Sequence, residues 1–358
     1  MVRVEGLDDV WGRCCGDLVH TLERVLEAVE PGRLLGRSVK RVGRRLYVRG
    51  EVVDLSSHDD FVVLAVGKAS GSMAAKLLRL LEGRPVRGVA VMPHGLQPPH
   101  DLRPLEIIHA SHPTPDTTSQ RAGQKILEYA DGCGERSLAF VLLSGGASSL
   151  AVLPAGGVTV EDKAAAAAAL MRAGASIEEL NTVRKHLSAI KGGWLAKHLR
   201  CRTYTLILSD VVGDRLDVIG SGPTAPDPTT YADALAVIRR RKAQVPENVL
   251  KHLEAGARGE VAETPKPGDP CFNNVRNIVV GSGLNAVKAA ASTLRRRGYR
   301  TLALTSILSG EAREAARLLS AVAMDVKRDG IPFRPPAAVV VGGETCHGQG
   351  RRRGRAKP

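Results

Sequence analysis

Short apolar runs without alternation recur along the chain, each followed by glycine and small polar residues and then by a helical pattern. Residues 61–66 lead into Gly67, Lys68 and Ser70; residues 138–143 into Ser144, Gly145, Gly146, Ser148 and Ser149; residues 204–208 into Ser209 and Asp210. The unit returns at 277–280, before Gly281, Ser282 and Gly283, at 302–304, before Thr305 and Ser306, and at 338–341, before Gly342, Gly343 and Glu344. Runs that are apolar on both faces predict a parallel sheet covered by helices on each side. Such sheets bind ligands outside the carboxyl ends of their strands, where every one of these polar clusters falls.

The pattern predicts a two-domain α/β protein. Prolines 246, 265, 267 and 270 break it over 243–274. This divides the chain into a Rossmann-like domain over 1–245, a linker over 246–274, and a smaller α/β domain over 275–358 with too few elements to bury a core of its own. The helical stretch 176–193 opens with a Ser176/Glu179 capping box and carries Leu180, Val183, Leu187 and Ile190 as its buried stripe. Asn181, Arg184, Lys185 and Ser188 share another face, and with no acid beside them they suit an anionic ligand.

Composition adds constraints. Aromatics are 3% of 358 residues, so the core rests on aliphatic side chains, as parallel sheets allow. The net charge of +14 admits nucleic acid, a membrane surface or an anionic metabolite. The surplus is not interleaved with aromatics, and no apolar run approaches the ~20 residues of a membrane span, so the metabolite is favoured. Six cysteines without metal-ligand spacing, an adjacent Cys14–Cys15 pair included, read as free thiols of a cytoplasmic protein.

The loops carry the candidate chemistry. Ser144, Gly145, Gly146, Ser148 and Ser149 read equally as a tight turn or as an anion cradle of backbone and hydroxyl donors. Lys68 reads in isolation as a solvated lysine, and beside these loops as a point charge for a phosphate or carboxylate. Asp210 and Asp214, after a strand, are the usual means of holding magnesium near phosphates. Gly220, Ser221, Gly222 and Thr224, with Asp227 beyond, form a second phosphate-compatible loop. Gly281, Ser282 and Gly283 are only half of a dinucleotide fingerprint and read as a turn or an adenosine contact.

Together these segments resemble the type-2 glycerate kinase family, whose C-terminal portion is the MOFRL domain. The resemblance runs in order through Val66-Gly67-Lys68-Ala69, Ser111-His112-Pro113-Thr114-Pro115-Asp116, Leu143–Leu150, Leu180–Ser188, Ser209–Asp214 and Ile219–Thr224, to Gly342-Gly343-Glu344-Thr345. It implies ATP-dependent phosphorylation of D-glycerate at the 2-hydroxyl to 2-phosphoglycerate, with Mg2+ or another divalent cation, at a site between two α/β domains. On that basis Lys68, Arg184, Lys185 and Asp210 are expected to be catalytic, and Asp210 and Asp214 to hold the metal. Ser144, Gly145, Gly146, Ser148, Ser149, Asn181, Gly220, Ser221, Gly222, Thr224, Gly281, Ser282 and Glu344 are expected to bind nucleotide or substrate. A hydroxypyruvate reductase using NAD(P)H and an inactive ligand-binding fragment are the alternatives.

The chain departs from the family after Thr345, where Cys346-His347-Gly348-Gln349-Gly350 and an arginine-rich stretch replace an alternating strand and a glycine-rich loop. Codons for those five residues, read one base later, can spell Val-Thr-Val-Lys-Gly, the strand the family has there. A reading-frame slip would explain this, the alternative being a natural short form whose second domain another chain completes; in either case open strand edges, with poor solubility or low activity, are expected.

Overall fold

The six strands of the main sheet form where β-branched and aliphatic residues run together; the central strands are buried almost throughout and the edge strands only in part. The computed structural model describes residues 12–346, with side chains from Gly16 onward. The packing of Cys14 and Cys15 and the arginine run after Gly350 lie outside the described residues. Two compact units emerge, one of residues 31–281 and one that joins residues before 31 to those after 281.

The chain enters through α1 (Gly12–Ala28), part of the smaller unit. The larger unit then begins with α2 (Pro31–Ser38) and an antiparallel meander of β1 (Val39–Val42), β2 (Arg45–Val48) and β3 (Glu51–Asp54). The main sheet follows: β4 (Asp60–Val66), α3 (Ser70–Leu80), β5 (Val86–Pro93), β6 (Glu106–Ala110), α4 (Thr117–Asp131) and β7 (Ser137–Leu143). After α5 (Ala147–Leu150), α6 (Val160–Arg172), α7 (Ile177–His186) and α8 (Trp194–His198) come β8 (Arg202–Leu208), α9 (Tyr231–Arg241), α10 (Glu247–Ala257) and β9 (Val275–Gly281).

Strand order is β6-β5-β4-β7-β8-β9, all parallel. From β4 the chain winds outward to one edge, returns to the other side of β4 as β7, and winds outward again. The strand order reverses between β4 and β7, which opens a crevice beyond their carboxyl ends. Residue alternation fills both faces: Phe61, Val63 and Ala65 pack with Leu35, Met73 and Leu77, while Val62, Leu64 and Val66 pack with Ala122, Ile126 and Leu150. A third core, Leu170, Val183, Tyr231, Val249 and Leu253 among its members, joins α6, α7, α9 and α10.

The expected linker over 246–274 is not one. Pro246 caps α10 instead of breaking the fold, and Val249 and Leu253 of that helix are fully buried. The strand expected to open a second domain is β9, whose backbone pairs with β8, so the larger unit extends to Gly281.

The smaller unit contains α1, α11 (Gly283–Arg296), β10 (Arg300–Leu308), α12 (Ala312–Asp329) and β11 (Ala337–Gly343). Asp17 of α1 accepts hydrogen bonds from Arg297 and from the Tyr299 hydroxyl, which tie α1 to the end of α11. β10 and β11 form a two-stranded parallel sheet. α12 buries no residue; Leu318 and Met324 on it are 56% and 65% exposed. No helix among the described residues is long and apolar enough to cross a membrane.

Candidate active site

Two loops meet at the reversal between β4 and β7. Lys68 N–H donates to the Gly145 carbonyl (2.9 Å), Ser144 N–H to the Val66 carbonyl (3.0 Å), and Ala69 N–H to Ser144 Oγ (3.0 Å). Ser144 is thus buried and engaged in holding the Lys68 turn. Gly67 has φ +130°, and a Cβ there would lie 2.6 Å from the Ser144 carbonyl oxygen, so only glycine lets the loops close together. The Lys68 side chain stands exposed at this junction.

Gly145 and Gly146 admit two further groups. A Cβ on Gly145 would meet Asp210 Oδ2 at 2.1 Å, and one on Gly146 would meet His112 Cδ2 at 2.9 Å and Nε2 at 3.2 Å. The carboxylate from the end of β8 and the imidazole from the end of β6 therefore both reach the double-glycine turn. Burial and the Lys68 ammonium push the His112 imidazole below its ordinary value, against the opposing pull of Asp210. His112 lies within the Ser111–Asp116 motif, where nothing in the residue spacing points to its partners at the turn.

Beside this turn lies a cavity of about 310 Å3 lined by His112, Ser148, Ser149, Lys163, Arg184 and Lys191, with alanines 164, 167 and 168 and Met171 as its apolar wall. Lys163 and Lys191 escaped the sequence reading. Lys163 had left a signal: it takes a position in the buried stripe of α6 beside Val160, Ala166 and Leu170. Burial, then Arg184, brings the Lys191 ammonium down to about 7, and burial with both neighbouring cations holds Lys163 well below its usual value. Burial also lowers Arg184.

Of the α7 face predicted to grip an anion, only Arg184 lines the cavity. Lys185 does have acids to pair it: its ammonium lies 3.0 Å from Asp227 and 3.5 Å from Asp217, and the side chain is 2% exposed. It is a strut, because Asp227 approaches α7 from a distant loop that the helical pattern could not reveal. Asn181 accepts from the Ser221 hydroxyl (2.8 Å), and Ser188 donates to the Leu153 carbonyl.

Gly220, Ser221 and Gly222 all adopt left-handed φ, and Ser221 is wholly buried. This turn aims the Gly220 carbonyl at Lys191 Nζ (3.3 Å) and brings Ser221 Oγ within 3.3 Å of Ser148 Oγ, so it shapes the cavity from behind. Thr224 does not reach it; its hydroxyl accepts from Thr205 and donates to Asn277. Gly281 is a packing glycine whose Cβ would lie 2.4 Å from Leu34. Ser282 caps α11, and Glu344 N–H donates to Leu308, both within the smaller unit. Asp214 shares the loop after β8 with Asp210, and among the described residues no three His, Cys, Asp or Glu side chains gather as a metal-holding group.

A family model described as a domain of unknown function (DUF4147) matches residues 17–254. A glycerate 2-kinase of Pyrococcus horikoshii is 37% identical over 322 residues, 89% of this chain and 71% of that protein. A protein of Agrobacterium vitis, provisionally named a hydroxypyruvate reductase, is 42% identical over 79% of this chain and 63% of its own. Among solved structures, a glycerate kinase of Thermotoga maritima superposes with a TM-score of 0.78 at 34% identity, covering 93% of this chain and 74% of that one.

Proposed function

Because the chain belongs to the glycerate 2-kinase family, we propose that it transfers the terminal phosphoryl group of ATP to the 2-hydroxyl of D-glycerate, giving 2-phosphoglycerate and ADP. The observation that carries this reading is the meeting of Lys68, His112 and Asp210 at the double-glycine turn beside a small cationic cavity. Phosphoryl transfer asks a protein for positioning and charge neutralisation more than for covalent chemistry, and that is what these groups offer.

Lys68, exposed at the mouth of the crevice, neutralises charge on the transferred phosphoryl group. His112, held neutral near pH 7, accepts the proton of the attacking hydroxyl at Nε2 as the new oxygen–phosphorus bond forms and the bond to ADP breaks. Asp210, with Asp214 on the same loop, fits a magnesium site of the kind in which one or two carboxylates act together with phosphate oxygens and water. Such a cation, when bound, shields the phosphate charge. Ser148, Ser149 and Arg184 orient the acceptor.

The test is ADP release with D-glycerate and magnesium, the product identified as the 2- or 3-phosphate by 31P NMR. Lys68→Ala should lower kcat at least 100-fold while the melting temperature stays within about 2 °C of wild type; full activity would remove this mechanism. The name of the Agrobacterium relative favours a second reading, NAD(P)H-dependent reduction of hydroxypyruvate. NADH oxidation with hydroxypyruvate, in the absence of ADP release with glycerate, would replace the kinase by that reading.

A further inference from the structure

Three cations converge on the inner wall of the cavity: Lys163 from α6, Arg184 from α7 and Lys191 from the segment before α8. Lys163 is 7% and Lys191 4% exposed, and among the described residues no aspartate or glutamate lines the cavity. Their ammonium groups meet only backbone carbonyls here: Lys163 those of Leu187 (2.7 Å) and Arg184 (3.4 Å), Lys191 those of Gly220 (3.3 Å) and Ala147 (3.5 Å). Carbonyls satisfy donors but leave the charge uncompensated, and burying such a charge is costly. The fold does supply counter-ions a short distance away, since Lys185 has both Asp227 and Asp217. The bare triad is therefore a specific arrangement, and the missing counter-ion is one that a ligand can bring.

We propose that Lys163, Arg184 and Lys191 are the carboxylate subsite of this cavity, which selects compact hydroxy acids over uncharged polyols. The inference rests on the kinase reading only for the identity of the acid. A cavity of about 310 Å3 lies at the small end of ligand pockets, and its remaining wall of Ala164, Ala167, Ala168 and Met171 suits a three-carbon skeleton better than a triphosphate.

Binding there carries a proton. In the empty cavity burial and Arg184 hold Lys191 at about 7, so above that pH it is mostly neutral. The groups facing it are Arg184 and Lys163, with His112 also on the cavity wall and only carbonyls behind. A carboxylate arriving among them raises the affinity of Lys191 for a proton, which is taken up from solvent. KM for the acid should be flat below pH 7 and rise above it, by up to about tenfold per pH unit.

The experiment is calorimetric titration of D-glycerate into the full chain at pH 8, without nucleotide, in two buffers of different ionisation enthalpy. Net proton uptake is expected, with Lys191 contributing up to one proton per site, and glycerol giving no binding heat. Lys191→Met should raise KM for D-glycerate at least tenfold at pH 7, keep kcat within about twofold, leave KM for ATP unchanged and abolish the pH dependence. Lys163→Met provides an independent second variant should the first not fold. A rise in KM for ATP instead would assign the triad to phosphate and overturn the proposal, as would D-glycerate binding without proton uptake. If D-glycerate binds with a proton but no ADP is released, the kinase reading fails and the carboxylate subsite stands; ADP release from glycerate with a normal Lys191→Met variant has the opposite meaning.

Discussion

Replacing Lys185 by methionine separates the two roles this residue could have. Its ammonium is 3.0 Å from Asp227, whose side chain is 0% exposed, and 3.5 Å from Asp217. Methionine fills the space but takes the lysine charge away from the buried Asp227 carboxylate, leaving only the His186 imidazole, 3.9 Å away and hydrogen-bonded to Glu263. The carboxylate keeps hydrogen bonds from Thr229 N–H (2.9 Å), Thr229 Oγ1 (2.7 Å) and Thr264 Oγ1 (3.1 Å), which satisfy its oxygens without balancing its charge. Breaking a buried pair in this way costs about 3–5 kcal/mol, a large part of the roughly 5–15 kcal/mol by which folded proteins are stable. In a unit of this size the melting temperature should fall by roughly 6–20 °C. The assay is a circular-dichroism melt of Lys185→Met, Asp227→Asn and the double variant, with KM for D-glycerate measured well below the onset of melting. The double variant, which has neither charge, should recover most of the loss, and KM should move less than threefold throughout. A melt within about 2 °C of wild type together with a tenfold rise in KM would refute the reasoning and make Lys185 a ligand-binding group.

Three further outcomes are expected. His112→Gln should lower kcat/KM by about 10²–10⁴-fold and erase the acid limb of the pH profile, which in the wild type lies below 6.5 because the imidazole must be neutral to accept a proton. Gly67→Ala places a Cβ 2.6 Å from the Ser144 carbonyl oxygen at φ +130°; it should cost about 1–3 kcal/mol by urea titration and, by displacing Lys68, reduce kcat about 100-fold. Burial opposes the charge of Glu263, but hydrogen bonds from His186 and from Tyr231 and Thr264 N–H bring its carboxyl down to about 2. That stability is present above its ordinary value of 4.5 and lost as pH falls from there towards 2, so Glu263→Gln should flatten the acid-unfolding profile in that window.

The sequence pattern located β4, β7 and β8, where burial on both faces leaves an unbroken apolar run, and β9, whose Ile278, Val279 and Val280 keep such a run at the half-buried edge of the sheet. It overlooked β5, where Arg87 and Gly88 interrupt the run, and the short β6, whose Glu106 and His109 look like loop residues. The prolines of 243–274 were legible as breaks, yet Pro246 begins a helix, a role only the packing of Val249 and Leu253 reveals. At the site, glycine-rich loops after strands announced Lys68, Ser148, Ser149 and Asp210. Lys163 and Lys191 stayed hidden because their partners are backbone carbonyls from other segments, which leave no trace in side-chain spacing. Lys185 misled for the converse reason, its counter-ions lying 32 and 42 residues further along the chain.

The pairing of α1 with α11 has a consequence during synthesis. Roughly 250 residues separate the two helices, and at ~5–20 residues per second α1 leaves the ribosome some 10–50 s before its partner exists. The larger unit is continuous in sequence and can fold in that interval, whereas the smaller one must wait for its last strands. Until then α1 has no α11 to pack against, so the smaller unit closes only near the end of synthesis.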